Sequence, residues 1–288
     1  MKKIIKKFIY VFVAASFVAC SDQDDTFAED FSVSDELVAQ IAGLGFDVES
    51  QVPTWLADGT GILVEGDIFL TPTDIANMGQ GNPVAVAEQY RTNNLVNAGG
   101  GRVITIYAPV ASSGGRGKKG TSGYSPAMIA GLDLAISRYN SENLTISFQR
   151  VTSSGGADIV MTRLSKRDER RGVLGSAGFP TSSGDPYGEI KMSGVLESSY
   201  GLSTAGIATI IAHEIGHCIG FRHTDFFDRS ISCGGSLANE GDGGVGAIHI
   251  PGTPTGATLS KASYMLACAD GGDRPFNNDD KTALDYLY

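Results

Sequence analysis

Cysteine is scarce in this 288-residue chain: Cys20, Cys218, Cys233 and Cys268 are all there is. Four in 288 excludes a small disulfide-stapled scaffold, so a hydrophobic core must hold the fold. Only three cysteines follow residue 20, so at most one pair can form among them. Cys233 and Cys268 are the favoured pair, although the other pairings stay open. A membrane-length apolar run is also missing. The longest apolar run, residues 8–19, follows Lys2, Lys3, Lys6 and Lys7; it is too short to span a bilayer and reads as an export signal. Positive charge is in deficit too. Without residues 1–20 the balance is 18 basic against 32 acidic residues, or −14, which argues against nucleic acid or an anionic membrane as partner. Lys118-Lys119-Gly120, in the Gly- and Ser-rich loop 112–123, has the wrong order for a phosphate-binding loop, and residues 36–97 hold no repeat or nucleotide motif.

Histidine is scarce as well, and its placement is what carries information. Three of the four histidines fall within eleven residues, in the stretch 213–225 that reads HEIGHCIGFRHTD. His213 and His217 stand four apart, so a helix projects them from one face, one turn apart, at a spacing that suits one metal ion. Glu214 between them can reach a water that the metal activates. His223, six residues on, would sit about 240° round a continuing helix, facing away. The helix therefore has to end between them, and Gly220 can adopt the left-handed conformation that ends it. Ile207, Ile211, Ile215 and Cys218 cluster within about 80° on the opposite side, giving the helix an apolar back. That placement removes Cys218 from the ligand set.

With 42% hydrophobic and 19% charged residues, the chain has material for one large domain with or without a smaller segment. Residues 21–35 are acidic and polar and read as a flexible tether. The segment 36–101 begins with a short helical run at 36–44. Strand-like runs follow at 61–64 and 68–70, then a helical stretch near 83–96, and Gly99-Gly100-Gly101 marks a boundary. The pattern then predicts a strand at 102–107, a helix capped by Ser125 and opened by Pro126, and strands at 144–148 and 157–161. Strand, helix, strand, strand is the opening of an α/β domain with one mostly parallel sheet. Lys166, Arg167, Arg170 and Arg171, interleaved with Asp168 and Glu169, read as a solvated loop.

Taken together, residues 213–223 resemble the extended zinc signature HExxHxxGxxH of the metzincin endopeptidases. The literal HEIGH followed by Gly-Phe-Arg-His-Thr-Asp is closest to the bacterial dual-action HEIGH metallopeptidase family. The resemblance covers residues 102–288 and implies an α/β (α+β) zincin: a twisted sheet, a zinc helix and a Met-turn subdomain. Ser263-Tyr264-Met265 resembles that Met-turn, with Met265 as an apolar floor under the imidazoles. Residues 276–288 look like the matrixin closing helix, with Ala283, Leu284 and Leu287 on one face. Residues 173–180 and 188–192 are similar to the matrixin segment holding the cleft's upper edge strand, an exposed edge that can pair with an extended peptide. Ser176 or a neighbour stands where matrixins bind a second zinc through histidine, and Ala267 where some relatives carry a tyrosine ligand, so one zinc is implied. Asp225 reads either as an anchor for the third ligand's loop or as a surface carboxylate. His249 reads as a structural or pocket residue, and Glu240 with Asp242 as a candidate calcium site lacking EF-hand spacing.

The function implied is zinc-dependent internal cleavage of polypeptides. His213, His217 and His223 hold the ion, and Glu214 acts as general base on the water it activates. Phe17-Val18-Ala19-Cys20 looks like a bacterial lipobox. It implies a lipid anchor at Cys20 and an outer-membrane or cell-surface address, with a freely secreted protein as the alternative. With no cysteine between Cys20 and Cys218, a matrixin-like cysteine switch is excluded. Val64-Glu65-Gly66-Asp67-Ile68 is similar to the astacin prosegment motif whose aspartate caps the zinc, which makes Asp67 a candidate latch; a plain strand end at a glycine turn is the other reading. A catalytically silent surface binding module on the same fold is the rival function. Its mark would be loss of the glutamate or of a ligand, and all four residues are present. Hydrolysis of another amide or ester fits the three histidines but not the edge strand. The natural substrate and the oligomeric state are not legible at this level.

Overall fold

The structure, a computed structural model, describes residues 31–49, 51–78, 89–111, 123–234, 246–254 and 263–288. The export signal, Cys20, most of the tether, the loop 112–122, and Glu240 with Asp242 lie outside the described residues. The N-terminal segment folds as α1 (Asp35–Gly43), β1 (Thr54–Trp55), β2 (Ile62–Val64), β3 (Ile68–Leu70) and α2 (Pro72–Asn77). Ser34 caps α1, with Asp35 and Glu36 in the first turn where the helix dipole favours acids. Thr71 and Asp74 close a capping box on α2, with Pro72 opening it. Val33, Ile41, Phe46, Ile62, Ile68 and Ile75 share a small core of their own, which meets the rest through Phe179.

From β4 (Tyr90–Arg91) the chain runs into β5 (Arg102–Tyr107), α3 (Pro126–Asn140), β6 (Ile146–Val151) and β7 (Ile159–Arg163). Next come α4 (Lys166–Arg170), β8 (Gly175–Ala177), β9 (Glu189–Met192), α5 (Thr204–Ile219), α6 (Ser230–Cys233), β10 (Ile248–His249) and α7 (Asn278–Leu287). One eight-stranded sheet has the order β1-β2-β3-β8-β9-β7-β5-β6. β6, β5, β7 and β9 run parallel in sequence across it, β3 is parallel to β8, and β1/β2, β2/β3 and β8/β9 are antiparallel. The expected mixed α/β architecture with a mostly parallel sheet is what forms.

Helices α3 and α5 cover one face of that sheet. The main core joins Ile104, Ile106, Leu132, Tyr139, Phe148, Ile159, Met161 and Ile190 to Ile207, Ile211, Ile215 and Cys218. The predicted apolar back of α5 is therefore buried, each isoleucine contributing roughly 1.5–3 kcal/mol. Gly131 lets the two helices touch: a β-carbon there would lie 2.5 Å from Ile207 Cγ2. Ala283 and Leu284 of α7 reach the same core, and Leu287 packs against it half-buried. Cys233 and Cys268 form the disulfide, with Cα atoms 5.1 Å apart, while Cys218 is buried and free. Among the described residues no helix is long and apolar enough to cross a membrane.

Three expectations need correction. The stretch near 83–96 is not helical where it is described: residues 90–91 are extended and pair with β10. Its backbone is drawn to the end of α5 instead, Thr92 N donating to Gly220 O at 2.8 Å and Arg222 N to Tyr90 O at 3.0 Å. The basic cluster is a helical turn rather than a loop. Lys166, Arg167 and Arg170 are exposed, but Arg171 reaches the Trp55 carbonyl, and Asp168 and Glu169 turn inward, Asp168 accepting from Ala57 N and Arg171, Glu169 from Gly194 N and Arg163. Third, β8 is not an exposed edge. β3 pairs along it, through Ile68 opposite Ala177, because the N-terminal segment adds three strands there.

Candidate metal centre

Helix α5 starts at Ser203, whose hydroxyl accepts from Gly206 N, and ends at Gly220 in the left-handed region with φ 111°. The predicted break is thus in place, and the chain turns back at once, Phe221 N donating to Gly216 O. The returning segment is fastened to residues 263–267. Thr224 N donates to Met265 O at 2.8 Å, and Asp225 accepts from Ala267 N at 2.9 Å. Asp225, 1% exposed, is therefore the loop anchor and not a surface carboxylate. Met265 is fully buried, its sulfur 2.5 Å from where a β-carbon on Gly216 would stand, so the glycine of HEIGH makes room for it.

These constraints bring His213, His217 and His223 together with Asp67, one ligand atom from each lying within 4.8 Å of all the others. The Asp67 carboxylate oxygen is 3.1 Å from His213 Nε2 and 3.2 Å from His223 Nε2. His213 Nδ1 donates to the Tyr264 carbonyl and His217 Nδ1 to the Phe221 carbonyl, each at 2.9 Å. A carbonyl can only accept, so each Nδ1 carries a proton and each Nε2 faces the cluster. The two Nε2 atoms are 3.0 Å apart, close enough to share one cation. Burial, reinforced by His213 and His223, pushes His217 well below the usual imidazole range, which leaves its Nε2 an acceptor or a metal ligand. Three imidazoles and a carboxylate converging on one point are a donor set that fits zinc.

Glu214, 2% exposed, lies beside the cluster, and its Oε2 has no hydrogen-bond partner among the described residues. Burial first, then the charge of Asp67, raise its affinity for a proton well above that of an ordinary carboxyl. Burial acts in the same direction on Asp67. There His223 and His213 more than offset it, holding that carboxyl well below the usual range. A cavity of about 400 Å³ opens here, lined by Glu65, Asp67, Leu174, His213, Glu214 and Tyr264 among others.

Several participants escape a reading of the sequence alone. Gly175 on β8 faces Glu214, and a β-carbon there would lie 2.4 Å from Oε1. The Phe179 ring meets His217 edge-on at 5.6 Å. Arg222 is wholly buried, its guanidinium 3.7 Å from Glu65. Arg222 lies between two candidate ligands in the motif and Glu65 two residues before Asp67, which is the only sequence signal for the pair. His249 stays away from the cluster, hydrogen-bonded to Thr253 and edge-on to Tyr90.

The profile of the dual-action HEIGH metallo-peptidases matches residues 62–288. Among solved structures, one of myroilysin is 14% identical with a TM-score of 0.37, covering 68% of this chain and 96% of that one. A crystal structure of myroilysin is 16% identical at 0.28, covering 55% and 59%. The GM1-bound form of the ECX AB5 holotoxin is 15% identical at 0.30, covering 48% and 62%. No curated protein matches. Because the match spans most of the chain and takes in HEIGH itself, the chain belongs to the dual-action HEIGH metallopeptidase family and is a zinc metallopeptidase whose substrates are polypeptides.

Proposed function

We propose that the protein is an exported endopeptidase synthesised in a latent form, with His213, His217 and His223 as the zinc ligands, Glu214 as general base and Asp67 as the latch. Zinc in such a cage supplies Lewis-acid polarisation of the scissile carbonyl and acidifies water. Glu214 does the proton work: buried beside the ligands with one oxygen uncommitted, it takes a proton from the attacking water and returns it to the departing amine. Met265 forms the apolar floor under the imidazoles, packed on Gly216.

The observation that supports this reading is that one residue occupies both the histidine cluster and the edge of β8. The Asp67 carboxylate lies on His213 and His223, while its carbonyl accepts from Ala177 N at 3.1 Å on the strand that would bind substrate. Departure of residues 31–78 uncovers both. The part that leaves ends before Gln89, since Gln89 donates to buried Asp280 and its carbonyl accepts from Ile250 N. Export and a lipid anchor at Cys20 are supported by the basic-apolar-Cys pattern of residues 1–20 and by the Cys233–Cys268 disulfide.

Casein cleavage by the full chain tests it. Asp67→Ala is expected to raise activity, and Glu214→Ala to lower kcat by about 10²–10⁴-fold with metal retained. A chelator should abolish both activities. Equal proteolysis by Glu214→Ala refutes the base, and the latch is refuted if neither Asp67→Ala nor cutting the chain before Gln89 raises activity above that of the full wild-type chain.

A further inference from the structure

Thr209 stands one turn before His213 on α5, about 6 Å along the helix from that first ligand, and it ties a second part of the chain to the metal helix. Its hydroxyl accepts from Arg274 N at 2.8 Å. A β-carbon on Gly206 would lie 2.6 Å from the Gly271 carbonyl oxygen, so the loop 268–274 packs directly onto the start of α5. From there the Arg274 side chain, 10% exposed, reaches the cavity that holds Glu214. Its Nη1 donates to the Cys268 carbonyl at 3.2 Å, and its Nη2 lies 3.0 Å from Asp270, whose own side chain is 65% exposed. Its Nε is buried and has no hydrogen-bond partner among the described residues. The other guanidinium on this cavity, Arg171, lies 3.0 Å from Asp168, an acid whose side chain is 1% exposed. Arg274 is thus the cation of the cavity whose acid faces water, and a rim pair of that kind is weak and screened by salt. Thr209, Cys268 and Arg274 all lie outside residues 31–78, so this wall of the cavity belongs to the same part of the chain as the ligands.

We infer that Arg274 is a specificity-determining residue, which selects an aspartate or glutamate as the residue immediately after the scissile bond. The inference rests on the endopeptidase reading above, with Glu214 as the base. The side of the bond follows from Glu214, which returns a proton to the departing amine, and that amine belongs to the residue after the bond. Asp67, His213 and Glu214 line the cavity, whereas His217 and His223 do not. The cavity therefore lies on the side of the site where the amine leaves. A carboxylate carried into it meets a guanidinium that cannot lose its charge and that pairs with carboxylates through two parallel donors. A lysine or arginine in the same place meets a like charge, and an apolar side chain covers the guanidinium without pairing it.

The test keeps the chain whole, as the full-length Asp67→Ala protein loaded with zinc. Amide-capped tripeptides Glu-Ala-Ala and Gln-Ala-Ala, which stand for the product that begins after the cut, are titrated into it by calorimetry. The Glu peptide is expected to bind at least about tenfold more tightly, the scale of one hydrogen-bonded charge pair. Arg274→Gln should bring that ratio near one, while Arg274→Lys should keep part of it, which a merely structural arginine would not do. Asp270→Asn, a change at an exposed position that leaves the guanidinium its charge, should raise the ratio by removing the competing acid. It decides the matter even if Arg274→Gln fails to fold. In casein digested by the same full-length chain, the new N-termini read by mass spectrometry should be enriched in Asp and Glu. Equal affinity for the two tripeptides, a preference that survives in folded Arg274→Gln, or a ratio that Asp270→Asn does not raise overturns the inference. Cleavage without an acidic excess overturns it too and leaves the endopeptidase reading standing. If neither this chain nor the folded full chain cut once before Gln89 cleaves casein, the two fall together.

Discussion

At Gly175 a single missing methyl group decides whether Glu214 can stand where it does. A β-carbon would come within 2.4 Å of Oε1 and 2.9 Å of Cδ, so the strand and the carboxylate cannot both keep their places. Gly175→Ala is expected to lower kcat by roughly 10²-fold, the scale of a 1 Å misplacement, with the zinc content unchanged. Wild-type kcat in that variant would show that Glu214 has no need of its present position. Such residues differ in how far the sequence reveals them. Gly220 was legible because the helix must end between His217 and His223, a requirement visible within ten residues. Gly175, Gly216 and Phe179 were not, because what each accommodates or contacts comes from a distant part of the chain. The acid–arginine pair of Glu65 and Arg222 was hidden for the same reason.

Among the elements, the long periodic ones were legible and the short ones were not. Helices α3 and α5 and strands β5, β6 and β7 follow from caps and apolar period. β4 and β10 are two residues each, too short to carry a pattern, and α4 is one turn whose acids find most of their partners in other parts of the chain. Helix α7 gives a prediction at this scale. Its Asp280 completes a capping box with Asn277 and accepts from Ser263, Gln89 and Tyr264 N. Burial outweighs these donors and pushes the carboxyl from 3.8 up to about 6. The folded chain therefore holds a proton between about pH 4 and 6 that the unfolded chain has lost, and stability from this group falls as pH rises through that window. The loss is about 3 kcal/mol, because each tenfold gain in proton affinity on folding is worth about 1.36 kcal/mol. Urea unfolding of wild type and Asp280→Asn across pH 4–7 should show wild type losing about that much relative to the variant. A difference independent of pH would mean the carboxylate stays ionised throughout.

On the scale of the molecule, the N-terminal segment keeps a core of its own while its strands extend the enzyme's sheet. Its inward contacts are partly apolar, Leu56, Leu63 and Phe69 clustering with Leu164 and Val173, and partly polar: Lys191 with Asp58 at 2.7 Å, Arg171 with the Trp55 carbonyl, Arg222 with Glu65, and the histidines with Asp67. The sequence showed the segment and suggested the latch at Asp67. It could not show that β3 lies along β8, since strand pairing across more than a hundred residues leaves no local mark. All of this depends on an ion held by three imidazoles, which elemental analysis of the purified full chain measures directly. About one zinc per chain, retained in Glu214→Ala and lost in His217→Ala, is the expected result. A wild-type chain without stoichiometric zinc, or a His217→Ala chain that binds as much as wild type, would contradict it.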